Sequence, residues 1–244
     1  MKDVNDVNVM KAPSFDAIPG VAAVFIGRGA VLRPEPASLV ALLGPACAAG
    51  RGVVTAVQVH SERVLLADER TTAGPLGEGD AIVTRRRDLV LGIATADCLP
   101  IVAVDPAQGV LAVVHAGWRG TVAGVLERAL QVMAGPMGAR LSTTRVAIGP
   151  SARSCCYRVG SEVIDAFTRK RPEAAAAVFK KDAEGVRLDL VEANRLQALQ
   201  AGVPPEGIEA IDVCSICRAD LCHSYRRDGE RAGRMWLLAA LTSP

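Results

Sequence analysis

Short apolar runs rich in Val, Ile, Leu and Ala, each closed by Gly, Pro or Asp, set the rhythm of this chain. "VAAVFIGRG" (21–29) reads as a strand that stops at glycines, and "VVTAVQVH" (53–60) alternates as a half-buried strand does. "RVLLA" (63–67) is placed to return as the hairpin partner of 53–60, ahead of a Thr- and Gly-rich loop over 70–80. Four further runs, 81–84, 89–95, 99–104 and 110–114, are short, partly β-branched and punctuated, which predicts strands. The period then changes. Val122, Val125, Leu126, Ala129, Leu130 and Met133 fall on one helical face, predicting a helix over 121–134 capped by Thr121.

Helical spacing also marks 38–50, stopping at Gly50, and 161–170, with Val163, Ile164 and Phe167 inward. A further helix starts at Asp189, with Glu192 three residues on as a capping-box pair, and ends at Gly202 before Pro204-Pro205. Residues 208–214 return to strand, and 234–241 is the last apolar run. The first twenty residues, ending at Pro19-Gly20, read as a flexible N-terminal arm, leaving 21–244 as one domain. Strands and helices interleaved without a repeat predict an α/β domain with mixed sheets.

Composition narrows the function. At 244 residues and 50% hydrophobic, the chain can bury a sizeable core. A net charge of +2, from 28 basic and 26 acidic residues, offers no polyelectrolyte face, and 3% aromatics leave few rings to stack bases. No nucleic-acid partner is expected. The start lacks the apolar core of a signal peptide, and no charge-free apolar stretch is long enough to span a membrane. Seven cysteines, an odd number in a chain of this size, suggest reduced thiols and a cytoplasmic protein. Neither a coiled coil nor a strongly apolar helix face points to assembly, so a monomer is expected.

Only three histidines occur. His60 and His115 each end a Val-rich run, and Cys98 sits between two such runs. Taken singly, each is more often a structural side chain; taken together, two imidazoles and one thiolate are a donor set for catalytic zinc. They can meet only where the strands that carry them are neighbours. "HAGWRGT" adds a tight turn into a helix with Arg119 beside it, either an anion site or a plain connection. Near the end, Cys214 and Cys217 have C-x-x-C spacing with Cys222 and His223 beyond, a conceivable zinc knuckle lacking a second pair. Arg226-Arg227 could hold phosphate or lie in a solvated turn, and Cys155-Cys156 read as core thiols.

The motifs "QVH" (58–60), "GDAIVT" (79–84), "TADCLPIVAVDP" (95–106), "VVHAGWRGT" (113–121), "AIGPS...CCYRVGSEV" (147–163) and "CSICRADLCHSYRRDG" (214–229) follow one another in an order that resembles the laccase-domain, or polyphenol-oxidase-like, family. The same family is described as purine nucleoside phosphorylases and as a bacterial peptidoglycan-editing factor. The resemblance runs from about residue 21 to the C-terminus. It implies a single domain of four α/β/β/α layers with mixed sheets around a metal held by His60, Cys98 and His115, zinc or copper. The implied substrates are purine nucleosides and phosphate, with phosphorolysis of adenosine, inosine, guanosine or methylthioadenosine and deamination of adenosine. Cys98, His115, Arg28 and Arg226 are the catalytic candidates, and Arg28, Arg119, Tyr225 and Arg226 the candidates for holding phosphate and substrate.

The chain departs from the family pattern in three places. The 29–44 segment is short and lacks an expected asparagine. Arg158 stands where a glutamate is expected, and Cys222-His223 replaces an aromatic pair. Three other readings compete: a cysteine hydrolase or peptidoglycan-precursor amidase with Cys98 as nucleophile and His115 as base, a copper-binding oxidoreductase, and a scaffold with a structural metal. Three histidines are too few for a multicopper cluster.

Overall fold

The computed structural model describes residues 7–29, 35–48 and 51–242. Two six-stranded mixed sheets form its centre. The first has the spatial order Val7–Met10, Val21–Gly29, Met235–Leu241, Leu89–Thr95, Gly52–Val57 and Gly74–Glu78. The second runs Ile208–Ala210, Arg145–Ile148, Leu99–Asp105, Val110–Ala116, Ala81–Thr84 and Val64–Ala67. A small antiparallel sheet of Arg158–Val159, Gly185–Leu188 and Phe179–Asp182 lies apart.

Alternation of side chains along the strands builds the layers. In Val110–Ala116, Val110, Ala112 and Val114 pack on the helices, while Leu111 and Val113 face the first sheet. Between the sheets, Phe25, Leu91, Ile93 and Leu237 meet Ile82, Val102, Leu111 and Val113. Each fully buried aliphatic side chain there contributes about 1.5–3 kcal/mol. The outer face of the second sheet is covered by helices Val125–Ala134, Ser161–Lys170 and Leu190–Ala201, through Leu126, Leu130, Met133 and Phe167. Leu39, Val40 and Cys47, from a 3₁₀ helix and the helical turn after it, cover the outer face of the first. The four α/β/β/α layers are therefore present, and no helix among the described residues is long and apolar enough to cross a membrane.

One feature of the connectivity positions the chemistry. Strands Gly52–Val57 and Leu89–Thr95 are parallel neighbours in the first sheet, so they end side by side. From those ends the chain passes twice into the second sheet, to Val64–Ala67 and to Leu99–Asp105. Gln58 ties the two crossings together, donating to the Ala94 carbonyl at 2.7 Å and accepting from its N–H at 3.0 Å.

Several elements differ from the sequence expectation for identifiable reasons. Val64–Ala67 is not the hairpin partner of the preceding strand; it belongs to the other sheet and runs parallel to Ala81–Thr84. The expected loop over 70–80 contains the strand Gly74–Glu78. Part of the expected arm is ordered: Val7–Met10 pairs with Val21–Gly29, and Phe15 is buried. The 38–50 helix is broken, because Pro45 excludes helical geometry from Gly44, whose φ is +95°. Gly50 itself lies outside the described residues, as do 30–34 of the shortened segment.

The 121–134 helix begins earlier, at Trp118, and divides at Gly124, whose φ is +93°. Thr121 is therefore no cap. It is buried, and its hydroxyl accepts from the Asn194 amide at 2.9 Å. Gln197 donates to the Thr121 carbonyl at 2.7 Å, fastening this turn to the Leu190–Ala201 helix.

Candidate metal centre and cleft

His60 lies on the first crossing, Cys98 ends the second, and His115 sits at the end of Val110–Ala116. The strands are not all neighbours in one sheet, as the sequence argument required. Only the Cys98 and His115 strands pair; His60 arrives from the other sheet. The ligand atoms of the three nevertheless lie within 4.8 Å of one another. Cys98 Sγ is 3.9 Å from His60 Nε2, and the two imidazoles stand edge to face with centroids 4.9 Å apart.

Asp80 holds this group together. Its carboxylate is fully buried and accepts from His115 Nδ1 at 2.8 Å. It also accepts the N–H groups of His60 and Ser61, at 3.0 and 2.6 Å, and the Ser61 hydroxyl at 2.8 Å. Burial alone would raise the Asp80 carboxyl, but His115 and Ser61 hold it down to about 2. With Nδ1 engaged, His115 presents Nε2 to the group, the usual arrangement for a metal-ligating histidine. Burial likewise favours the neutral thiol of Cys98, yet the positive His115 ring and both imidazole hydrogen bonds draw it to about 6. Burial opposes the charge on His115, and the Cys98 thiolate and Asp80 overcome it, raising its pKa to about 9.

Backbone geometry reinforces the placement. Among the described residues, His60 (φ +60°) and Asp97 (φ +96°) are the non-glycine residues with positive φ, one in each crossing. Such conformations persist where surrounding bonds over-determine them. Asp97 accepts the Ser215 hydroxyl at 2.6 Å and the Arg226 N–H at 2.7 Å. Gly117 is required for space: a Cβ there would lie 2.8 Å from Cys98 Sγ and 3.1 Å from His60 Cδ2.

The group opens into a cleft of about 510 Å³ lined also by Gln58, Thr95, Tyr157, Tyr225, Arg226 and Arg234. That volume suits a small organic ligand. The Arg226 guanidinium sits 5.1 Å from the Tyr157 ring centroid and donates to the Arg158 carbonyl at 2.9 Å. The buried Thr95 hydroxyl has no protein partner among the described residues. Tyr225 is half exposed, its hydroxyl donating to Glu230 at 2.7 Å.

Two residues expected at the site stand elsewhere. Arg28 does not line the cleft; it donates to the Ala219 carbonyl at 3.2 Å. Arg119 is exposed, stacks 4.3 Å over the Trp118 ring, and borders a separate depression with Arg169 and Lys170. Its helix, Trp118–Ala123, has 6 residues and no side-chain cap at Gly117. Conversely, Asp80, Asp97, Gln58, Thr95 and Tyr157 escaped sequence reasoning although they lie in or beside the motifs that supplied the ligands. For Asp80 a signal existed: it falls one position before a strand, with the parity of the inter-sheet residue Ile82.

Residues 35–242 match the family described as multi-copper polyphenol oxidoreductase laccase. The chain is 40% identical over 185 residues to "Adenosine deaminase RL5" from an unknown prokaryotic organism, covering 72% of this chain and 70% of that one. It is 35% identical over 191 residues to a purine nucleoside phosphorylase of Bacteroides thetaiotaomicron, covering 75% and 71%. Among solved structures, the Bacillus licheniformis hypothetical protein YfiH superposes with a TM-score of 0.84 at 26% identity, covering 98% of both chains. YlmD of Geobacillus stearothermophilus gives 0.82 at 27% identity, covering 100% and 98%. Sequence match, shared fold and the motifs around the His-Cys-His group agree: the chain belongs to the multi-copper polyphenol oxidoreductase laccase family.

Proposed function

We propose that this protein is a zinc-dependent purine nucleoside phosphorylase, acting on adenosine, inosine, guanosine and methylthioadenosine, that also deaminates adenosine. The observation that carries the reading is the convergence of His60, Cys98 and His115 at the wall of a nucleoside-sized cleft. Two imidazoles and a thiolate suit zinc by donor type, and the group contains no fourth Cys, His or carboxylate ligand among the described residues. A closed structural site would need one. The relatives named above support the reaction class.

Zinc, when bound, supplies Lewis acidity at the reacting centre. The chain's own residues do the rest. Asp80 fixes the tautomer and direction of His115. Arg226 and Arg234 bring positive charge to the cleft wall, suited to a phosphate beside the sugar. Tyr157 lines the cleft where a base could lie, and burial, with the negative Cys98 next, pushes its phenol up to about 12. It therefore stays protonated and can donate. The Thr95 hydroxyl and the Gln58 region add polar contacts on the side of the cleft nearest the crossings.

Incubation of metal-analysed protein with adenosine tests the reading. Adenine released only with phosphate, and inosine formed without it, are expected, and Cys98→Ala should abolish both together with the metal held by the His60, Cys98 and His115 group. Neither product from the metal-loaded protein overturns the proposal. Amide hydrolysis by chelator-stripped protein that is lost in Cys98→Ala would instead establish the cysteine-hydrolase reading.

A further inference from the structure

A second group of sulfurs lies outside the cleft's ligand set. Cys155, Cys156, Cys214 and Cys217 have all their Sγ atoms within 4.8 Å of one another. The C-x-x-C pair therefore does not combine with Cys222 and His223, both of which are buried elsewhere. It meets the adjacent Cys155-Cys156 pair, from a turn far away in sequence. We propose that these four thiols form a closed tetrathiolate site for one soft divalent ion, zinc above all, which clips the two loops together. This inference is independent of the nucleoside reading.

Two observations converge on it. The first is spacing. Zinc–sulfur bonds of about 2.3 Å in a tetrahedron put sulfurs about 3.8 Å apart, and Cys155 Sγ lies 3.9 Å from Cys217 Sγ. The chain between Cys214 and Cys217 closes as a turn, with Arg218 N–H on the Cys214 carbonyl at 3.0 Å. The second is access. Cys214 is buried while Cys155 and Cys217 are exposed, so an ion can enter from solvent and still be anchored below. Soft sulfur donors select zinc over hard cations.

The clip would bear on the cleft. Tyr157 follows the Cys155-Cys156 turn directly, and Ser215, inside the C-x-x-C turn, donates its hydroxyl to Asp97. The Ser215 and Ile216 carbonyls accept from Arg227, next to Arg226, at 2.8 and 2.9 Å. Both loops thus carry cleft walls, and an ion between them would hold those walls in register.

Elemental analysis of purified full-length protein, with cobalt exchange as the spectroscopic readout, tests the proposal. About two zinc ions per chain are expected in the parent, falling to about one in Cys217→Ser and in Cys155→Ser, the two exposed positions least liable to disturb folding. Cys98→Ala separates the two sites. It should keep about one ion, and its cobalt form should show sulfur-to-metal charge transfer that disappears when Cys217→Ser is added. A Cys98→Ala protein that holds no ion, a Cys217→Ser protein that keeps its full complement, or a native Cys155–Cys217 disulfide found by mass spectrometry overturns the inference. Absence of nucleoside activity in the metal-loaded parent, with tetrathiolate cobalt present, counts against the cleft reading and leaves this one standing.

Discussion

His115 Nδ1 lies 2.8 Å from Asp80 Oδ1, and Asp80 also accepts the backbone N–H of His60, so one buried carboxylate fixes the His115 ring and the backbone that carries His60. In Asp80→Asn, half of the acceptor set becomes a donor facing N–H groups. We expect metal affinity to fall about 10- to 100-fold, together with a loss of about 1–3 kcal/mol in folding stability. Competition with a chromogenic chelator and a denaturant melt measure the two. Unchanged affinity would show that Asp80 is only a structural fastener.

Gly117→Ala tests the space beside Cys98. The backbone there is extended in a way alanine adopts freely, but its Cβ would press on Cys98 Sγ and His60 Cδ2. The variant should fold with nearly parental stability and bind metal weakly. Gly124→Ala should do the opposite. Its φ of +93° and the crowding by the Arg171 and Glu127 side chains cost about 1–2 kcal/mol or more, while metal binding survives. Paired melting and metal titrations check both; equal behaviour of the two variants would refute the distinction.

Arg226→Ala should raise the KM for phosphate about 10- to 100-fold, the scale of losing a hydrogen bond to a charged group. Arg28→Ala and Arg119→Ala should leave it near the parental value, because neither side chain lines the cleft. Steady-state kinetics at varied phosphate decide. A large effect at Arg119 and none at Arg226 would move the anion site to the Trp118 depression.

Asp189 gives the clearest pH dependence away from the metal group. Burial opposes its charge, but the Glu192 N–H, the Ser154 hydroxyl and Lys180 lower its pKa below the ordinary value. A depressed folded pKa means stability that is present above the unfolded value of about 4 and is lost as pH falls through the folded one. Asp189→Asn retains the cap without the charge. The stability gap between parent and variant should therefore be largest near neutrality and shrink as pH drops below about 4. Denaturant melts across that range measure it, and a gap independent of pH contradicts the assignment.

Much of this was legible in the chain. The Asp189–Glu192 cap and the Gly202 stop are found where the pattern placed them, with Glu192 N–H on the Asp189 carboxylate at 3.0 Å. The runs at 81–84, 89–95, 99–104 and 110–114 are strands because β-branched residues buried on both faces leave little alternative. The ligand trio was readable because only three histidines exist. What periodicity could not reveal was which sheet each strand joins. Val64–Ala67 looks like a hairpin return in one dimension and proves to be a crossing in three. Arg119 and Arg28 were chosen for charge and motif, properties that carry no direction. Asp80 and Asp97 act through hydrogen bonds between residues distant in sequence, which no local pattern reports.

The two crossings also set how the molecule can breathe. His60 hangs from the end of one sheet, His115 belongs to the other, and Cys98 marks where the chain steps between them. Any sliding of one half of the sandwich over the other stretches that triangle before it disturbs the apolar interior. An ion gripped by all three would act as a rivet through both plates, so its departure and the shear of the sandwich become the same event.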